Sequence, residues 1–155
     1  MSVMIKAATP ADVEILVELR LEMRREREEV PLQVSEAEFE AALRRFFTET
    51  IAAGTFVSFI AWNGETAVAC SGLSLELQPP SYGNVSGRVG YVTNMYTRPE
   101  YRGQGLARKL LDALKDYAEK AGCGKMELNA SDAGYPVYKK YGFKDVDGQM
   151  KLILR

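Results

Sequence analysis

The spacing of apolar residues along this 155-residue chain switches repeatedly between the period of a strand and the period of a helix. A short apolar run over residues 3–8 predicts a strand. In the following segment Thr9, Pro10 and Asp12 form the capping pattern expected where a helix begins. The apolar face of that helix comprises Val13, Leu16, Val17, Leu19 and Met23.

A second helix is predicted after Pro31, which closes off the first helical region. Ser35 and Glu38 form another capping pattern at its start. The helical period continues to about Ala53, and Gly54 is placed where a glycine commonly ends a helix.

Three further apolar runs predict strands in the middle of the chain, over residues 55–62, 65–77 and 89–97. Asn63-Gly64 separates the first two runs and is a strong signal for a two-residue hairpin turn. Residues 78–88, QPPSYGNVSGR, are rich in proline, glycine and serine and predict a loop.

Helix and strand periods alternate again towards the C-terminus. A helix is predicted from Leu106 to near Gly122, then a strand over 125–130 and a short helix ending near Gly142. The tail, divided by Asp147-Gly148, predicts two more strands. This order predicts a mixed α/β fold, with a mostly antiparallel sheet of six to seven strands flanked by about four helices. One strand–helix–strand crossover is expected to be parallel and right-handed.

Composition narrows the partners only slightly. Hydrophobic residues make up 46% of the chain and the net charge is −1, so we expect neither nucleic acid nor a membrane as partner. The length predicts a single domain over 1–155. Cys70 and Cys123 lack metal or redox spacing and no signal-peptide pattern is present, which predicts reduced thiols and a cytoplasmic location.

The chain contains no histidine, and this excludes whole classes of chemistry. Catalysis by Ser-His-Asp or Cys-His is ruled out, and the commonest zinc ligand is missing. Acid–base chemistry must therefore depend on carboxylates, Tyr, Lys, Cys or ordered water.

The stretch YRGQGLARKLL, residues 101–111, places Gly103 and Gly105 directly before the predicted third helix. Glycines allow close approach of a ligand to the backbone, and a helix start offers free N–H groups and a positive dipole end. The nearby charges are four positive and one negative, a local +3, from Arg98, Arg102, Arg108, Lys109 and Glu100. Although two glycines alone are often just a tight turn, this combination favours a phosphate-binding turn.

Two other kinds of phosphate-binding turn fit less well. A dinucleotide-binding turn needs a third glycine where this chain has Arg108, and Glu127, the candidate ribose ligand, lies inside a predicted strand. A P-loop needs Gly-Lys followed by Ser or Thr, which does not occur here.

At these residues the chain resembles the GNAT superfamily of N-acetyltransferases. The family's pyrophosphate loop reads Gln/Arg-x-x-Gly-x-Gly/Ala, and residues 102–107 read Arg-Gly-Gln-Gly-Leu-Ala. The preceding NMYTRPEY (94–101) and the later VYKKYGF (137–143) also look like the family's pattern. The predicted order of elements matches over essentially the whole chain.

The resemblance implies that acetyl-CoA is the acyl-donor co-substrate and that no metal takes part. The loop backbone would hold the pyrophosphate, with contributions from Arg102, Gly103, Gln104, Gly105, Leu106, Ala107 and Arg108. Lys109 adds further positive charge. The strand before the loop would splay from its neighbour and pair with pantetheine through Met95, Tyr96 and Thr97, and Asn129 would contact the same arm.

The resemblance also implies two catalytic groups. The backbone N–H of Met95 would stabilise the oxyanion that develops at the thioester carbonyl. Tyr138 would protonate the departing thiolate of coenzyme A. The residue pattern alone favours a different interpretation of Tyr138, because Tyr135, Tyr138 and Tyr141 also fit an ordinary core face of a helix.

No general base is assigned. Many family members place a Glu on the strand that enters the loop, but residues 89–97 contain no carboxylate. There are two alternatives to a carboxylate base. One is a water held by Tyr91, Thr93 or Asn94, and the other is an amine that arrives at the site in its neutral form. The remaining carboxylate candidates are Glu76, Glu127 and Asp132.

The resemblance implies direct transfer to a primary amine of a small molecule or a peptide, within a ternary complex. In this family the first two helices and the loop before the cofactor strand, here with Tyr82 and Arg88, usually recognise the acceptor. Acidic residues of those helices favour either a cationic amine or a solvated face: Glu26, Glu28, Glu29, Glu36, Glu38 and Glu40. Two alternatives stay open, a CoA-binding sensor without turnover and a nucleotide-dependent oxidoreductase, and so does a homodimer.

Overall fold

The computed structural model describes residues 2–28 and 33–154. Its strands are β1 (Val3–Ala7), β2 (Phe56–Val57), β3 (Phe59–Asn63), β4 (Thr66–Leu77), β5 (Arg88–Thr97) and β6 (Lys125–Glu127). Its α-helices are α1 (Val13–Glu26), α2 (Glu36–Ala53), α3 (Leu106–Lys120) and α4 (Tyr135–Tyr141).

The strands form one six-stranded sheet in the order β1-β3-β4-β5-β6, with β2 paired to β4. Every pair is antiparallel except β5 with β6, which are parallel and joined through α3. This confirms the predicted mixed α/β fold, including its single parallel crossover.

The helix starts form as their capping patterns predict. Thr9 and Asp12 form a complete capping box over a short 3-10 turn that leads into α1. Ser35 and Glu38 form the second box, in which the Glu38 N–H donates to the Ser35 hydroxyl over 3.1 Å. Gly54, at a φ of 76°, ends α2 in the left-handed conformation. The proposed stop at Pro31 lies outside the described residues.

Helices cover both faces of the sheet. On one face α1 and α2 bury Leu16, Leu19 and Phe47 against strand residues that include Cys70 and Tyr96. On the other face α3 buries Leu106, Leu110, Leu111 and Leu114 against strand residues that include Val68, Leu73 and Val92. Strands β4 and β5 therefore lie in the middle of a three-layer arrangement.

Two strand predictions needed adjustment. The single strand expected over 55–62 breaks into β2 and β3 at Ser58. At this break side-chain hydroxyls take part in place of the ladder: the Ser58 hydroxyl donates to the Ser71 carbonyl over 2.6 Å, and the Phe59 N–H donates to the Ser71 hydroxyl over 3.2 Å. Asn63 pairs with Thr66, so the hairpin turns at Gly64-Glu65, one residue later than predicted. Gly64 supplies the positive φ, 63°, that this turn requires.

The two strands predicted in the tail are wrong. Gly148 adopts a φ of 95° in a turn, but within the described residues 143–154 no strand forms on either side of it. Met150, Leu152 and Leu154 stay exposed, so their alternation does not correspond to a buried face. Alternation favours a strand only where a partner edge and a surface to bury are present, and an unsupported hairpin is marginal.

Candidate functional site

The glycine loop is open on its outer side. Gly103 and Gly105 have φ values of 77° and 78°, in the left-handed region that favours glycine. A Cβ added at either position would meet no heavy atom within 4 Å. Both glycines are therefore needed for the turn itself, and they leave space in which a ligand can approach the backbone.

The start of α3 has free hydrogen-bond donors. Gly105 is its N-cap and has no side chain to accept from the first N–H groups of the helix. Buried Leu106 anchors this first turn to the core. The loop thus presents backbone N–H groups and the positive end of a 15-residue helix at an exposed surface, which suits a phosphate group.

The local charge of +3 predicted around the loop is largely paired. The Arg98 guanidinium contacts carboxylates of Glu18 and Glu22 at 3.2 and 2.9 Å. Arg102 contacts Glu26 at 2.6 Å. Two cationic side chains on the first turn of α3, Arg108 and Lys109, are exposed.

Arg102 also holds the glycine loop against β5. Its Nε donates to the Thr97 carbonyl over 2.9 Å, and its guanidinium lies 5.7 Å from the centre of the Tyr96 ring. The Tyr96 hydroxyl donates to Glu26 over 3.0 Å, and burial together with this carboxylate raises the pKa of Tyr96 to about 12. Burial acts to raise the pKa of Glu26, but hydrogen bonds from Arg102 and Tyr96 outweigh it and lower the pKa. The Arg102 side chain is thus committed to β5 and α1.

A β-bulge bends β5 just before the loop. Gly72 pairs with Thr93 and Cys70 pairs with Tyr96, so Asn94 and Met95 together lie opposite one residue of β4. Asn94 has a φ of 57°, a left-handed conformation that asparagine tolerates better than most residues. Its buried side chain accepts from Arg20 Nη1 over 3.3 Å.

Beyond this bulge the outer edge of β5 is open. The parallel partner β6 pairs only with Val89–Tyr91, so residues 92–97 have no strand on that side among the described residues. The Arg98 N–H donates to the Val68 carbonyl of β4 over 2.9 Å. Because N–H directions alternate along a strand, those of Met95 and Thr97 point away from β4, towards the open edge.

Tyr138 lies on α4 and packs against the core under β5. Its ring packs edge-on against Phe143, with centroids 5.8 Å apart, in the same apolar cluster that Met95 contacts. Burial raises the pKa of Tyr138, while the Arg27 guanidinium acts in the opposite direction. Within the described residues no hydrogen bond engages its hydroxyl, so the proton remains available to a ligand.

A cavity of about 1190 Å³ lies between β6, α4 and the segments that follow them. Its lining includes Tyr138, Asn129, Tyr91 and Glu127, but neither Met95 nor the glycine loop. Asn129 is exposed two residues beyond the end of β6. The structure therefore places Tyr138 and Asn129 in the lining of one cavity, and Tyr138 and Met95 against one apolar cluster, while the loop lies outside the cavity at the start of α3.

Comparison with known proteins identifies the family. The sequence profile of the Acetyltransferase (GNAT) family matches residues 16–143. The chain belongs to the GNAT family. The match spans both the glycine loop and the Tyr138 segment.

Relatives of this GNAT chain include proteins named as acetyltransferases. A glucosamine 6-phosphate N-acetyltransferase of Trypanosoma brucei brucei is 35% identical over 81 residues, which cover 52% of this chain and 54% of the relative. A thialysine N-epsilon-acetyltransferase of Bos taurus is 33% identical over 69 residues, covering 43% and 41%. The chain thus spans about half the length of the curated relatives it matches.

Solved GNAT structures match over nearly the whole chain. A predicted acetyltransferase from Clostridium acetobutylicum, solved with acetyl-CoA, is 35% identical with a TM-score of 0.91, covering 99% of this chain and 97% of that one. A GCN5-related N-acetyltransferase from Ralstonia eutropha JMP134 has a TM-score of 0.87 at 22% identity, covering 98% and 99%, and shares the fold.

The candidate bases of this GNAT chain occupy different surroundings. Tyr91 and Glu127 line the cavity with Tyr138, and Glu127 is paired with Lys125 at 2.8 Å. Asn94 is already engaged by Arg20. Glu76 and Asp132 are exposed and are not part of the cavity lining. Thr93 lies half-buried on β5 next to the bulge. The geometry selects no carboxylate, and the general base stays unassigned.

The loop expected to help recognise the acceptor lies at the other end of β5. The Ser86 hydroxyl donates to the Gly122 carbonyl over 2.9 Å, and Arg88 donates to the Ala121 carbonyl over 2.9 Å. These contacts tie the loop to the C-terminal end of α3. Residues 78–88 therefore lie away from the bulge and Met95.

Two features of the GNAT site were missed from the sequence. One is the contact of Arg20 with Asn94 at the bulge, and the other is the effect of the Arg27 charge on the pKa of Tyr138. Arginines at positions 20, 24 and 27 have the spacing of one helix face, and this spacing is the pattern in the sequence that could have indicated both features. It was obscured because arginines and glutamates alternate along α1.

Proposed function

We propose that this protein transfers an acetyl group from acetyl-CoA directly to a primary amine of a small molecule or peptide, within a ternary complex. The observation that carries this proposal is the continuity of two features: an uncapped glycine loop suited to a phosphate, and an open edge of β5 leading away from it. This arrangement fits an elongated acyl-CoA, with pyrophosphate at one end and thioester at the other.

The loop supplies binding. Residues 102–108, with the left-handed Gly103 and Gly105, aim backbone N–H groups at the pyrophosphate, and exposed Arg108 and Lys109 add positive charge. Arg102 acts by holding the loop against β5, since its side chain is already bound to Thr97 and Glu26. Asn129, which lines the same cavity as Tyr138, contacts the pantetheine arm.

The open edge supplies activation of the thioester. The Met95 N–H donates to the thioester carbonyl and stabilises negative charge as it develops, which is worth most in a site from which water is excluded. Thr97 and Tyr96 extend this edge towards the loop. The bulge fixes the direction of Met95, because Asn94 is held by Arg20 from one side.

Tyr138 donates the proton that the departing thiolate requires. Its raised pKa keeps the hydroxyl protonated at neutral pH, and its ring is fixed by Phe143. The enzyme thus contributes proximity, an oxyanion contact and a general acid. Two unpaired cysteines agree with action in the cytoplasm, where thiols stay reduced.

Release of free coenzyme A thiol tests this function. The protein is incubated with acetyl-CoA and a panel of primary amines, and thiol appearance is followed with a chromogenic disulfide. We expect amine-dependent release by at least one amine, with the acetylated product detected by mass spectrometry. No release from any amine, despite calorimetric binding of acetyl-CoA, contradicts an enzymatic role.

A second function is favoured by one observation, the lack of any carboxylate on β5. A CoA-binding sensor would keep the loop and the open edge but have no turnover. A third alternative is a nucleotide-dependent oxidoreductase, and thermal melting distinguishes it from a CoA-binding protein. We expect CoA to raise the melting temperature of this protein and NAD to leave it unchanged.

A further inference from the structure

A buried cysteine lies against the β-bulge of β5, and the proposed reaction does not use it. Cys70 lies on β4, is fully buried, and pairs with Tyr96, directly after the two bulge residues Asn94 and Met95. A thiol buried in this way is chemically inert towards ligands. The function of Cys70 must therefore depend on what its thiol contacts.

Cys70 and Asn94 form two hydrogen bonds with each other. The Cys70 thiol donates to the main-chain carbonyl of Asn94 over 3.3 Å, and Asn94 Nδ2 donates to Cys70 Sγ over 3.7 Å. On its other side Asn94 Oδ1 accepts from Arg20 Nη1 over 3.3 Å. Both polar atoms of the buried Asn94 side chain thus have partners. We call Arg20, Cys70 and Asn94 the bulge network.

The carbonyl that accepts from the thiol belongs to the same peptide unit as the Met95 N–H. This unit is planar and trans, since no cis peptide bond occurs among the described residues. In a trans unit the C=O and the N–H point in opposite directions. A thiol that holds the Asn94 carbonyl from β4 therefore holds the Met95 N–H towards the open edge of β5.

We propose that Cys70 is a positioning residue for acetyl transfer, whose thiol fixes and polarises the Asn94–Met95 peptide unit so that the Met95 N–H meets the thioester carbonyl. This inference rests on the proposed function, because it requires that acetyl-CoA contacts the Met95 N–H. Orientation is one part of the effect, since a donor acts on a developing oxyanion only when it already points at it. Polarisation is the other, because hydrogen bonds linked through one peptide unit strengthen each other.

The surroundings of Cys70 suit this task. Burial raises the pKa of its thiol to about 12, so at neutral pH the thiol keeps the proton that it donates. Asn94 has a φ of 57°, a conformation that persists where the surroundings hold it in place. The bulge network supplies that hold from β4 and from α1.

Infrared spectroscopy of bound acetyl-CoA tests the proposal without any acceptor. The acetyl carbonyl is labelled with carbon-13, and the difference from unlabelled acetyl-CoA isolates its stretching band. A hydrogen bond from the Met95 N–H weakens the C=O bond and lowers its frequency. We expect the band of the wild-type complex to lie below its position in solution, and Cys70→Ala to return it part of the way.

Steady-state kinetics with an amine that gives thiol release provide the second measurement. Cys70→Ala should lower kcat by about three- to tenfold, the effect of losing one hydrogen bond of ordinary strength, and leave KM for acetyl-CoA nearly unchanged. Cys70→Ser keeps a hydroxyl donor at this position, although its side chain is shorter. It should restore part of both the band shift and kcat.

Val68→Ala is the matched control for lost packing. Val68 also lies on β4 and is fully buried, but its side chain packs against α3 on the other face of the sheet. The substitution removes buried apolar atoms without touching the bulge network. It should lower the melting temperature and keep the wild-type band position and kcat.

The outcomes separate failure of this proposal from failure of the function. If amines are acetylated but folded Cys70→Ala keeps the wild-type band and kcat, the positioning role is wrong while the acetyl transfer stands. An equal loss in Val68→Ala, or a serine variant no better than the alanine variant, would also overturn the role, since packing would then explain the effect. A wild-type band at its solution position would overturn both this role and the Met95 contact. Band shifts as expected without acetylation of any amine would support the positioning of the peptide unit and overturn the transfer.

Discussion

A pair of substitutions at Gly105 tests the glycine loop with the smallest chemical difference. Asn and Asp have nearly the same size, and both tolerate the left-handed conformation better than other side chains. Gly105 has a φ of 78°, and a Cβ there would meet nothing within 4 Å, so both variants fit the free protein equally well. Gly105→Asn and Gly105→Asp then differ only in one negative charge at the start of α3.

The size of the effect follows from distance and exposure. A phosphate held by the loop N–H groups lies about 3 Å from their nitrogens, which places it about 4 Å or somewhat more from the carboxylate that Gly105→Asp introduces. Two like charges at 4 Å repel by about 1 kcal/mol in water and about 4 kcal/mol near a protein surface of lower dielectric. Because Gly105 is exposed, we expect about 1–2 kcal/mol. This corresponds to about 5- to 30-fold weaker binding of acetyl-CoA to the aspartate variant.

Isothermal titration with acetyl-CoA at low ionic strength measures this difference, and thermal melting checks that both variants are equally folded. The ratio of the two dissociation constants should shrink as salt is added, since screening acts within about 10 Å at 0.1 M. Equal affinities at low salt in two folded variants would refute the reasoning. They would show that the loop does not face the pyrophosphate.

Three further changes test other parts of the structure. Tyr138→Phe should leave the affinity for acetyl-CoA nearly unchanged and lower kcat by about 100-fold, since it removes the proton donor, and an unchanged kcat argues against the general acid. Burial raises the pKa of Tyr138 above the ordinary tyrosine value, so the wild-type rate should not fall through Tyr138 ionisation near neutral pH. Gly134→Ala places a methyl group 2.9 Å from Cε2 of Tyr138, at a position whose own φ is not positive, so the substitution should displace the ring without straining the backbone. We expect kcat to fall while KM for acetyl-CoA is unchanged, and a wild-type kcat would show that the ring position is unimportant. Arg98→Ala leaves the Ala67 carbonyl and the Glu22 carboxylate without their donor, and it should lower the free energy of unfolding measured in urea by about 1–3 kcal/mol. Arg98→Lys should restore this stability only in part, and full restoration by Lys would mean that charge alone matters.

Features set by neighbouring residues were predictable from the sequence. The capping boxes at Thr9 and Ser35 and the left-handed Gly54 depend on contacts within a few residues, and each forms as predicted. The glycine loop is a local feature of the same kind. Its family resemblance added the cofactor, because a recurring loop with its flanking strand and helix carries more information than the two glycines alone.

Features that depend on distant contacts were not predictable. The contact between Glu22 and Arg98 joins residues far apart in the chain, so the apparent positive charge of the loop was overestimated. The bulge at Asn94 depends on how β5 pairs with β4, and no local pattern shows the extra residue. In the tail, Leu152 and Leu154 alternate as a strand would, yet both stay exposed and no strand forms there among the described residues.

The bulge has one consequence for how the sequence of β5 can change. Gly72 pairs with Thr93 and Cys70 with Tyr96, so removing Asn94 would leave a regular ladder and preserve every other pair with β4. The ladder therefore does not require this residue, although its buried contacts with Arg20 and Cys70 would be lost. A strand without it would be straighter and free of a left-handed asparagine. Under the proposed function, we expect a chain without Asn94 to keep its fold and to lose acetyl transfer, since the deletion would remove the bend of β5 beside the Met95 N–H.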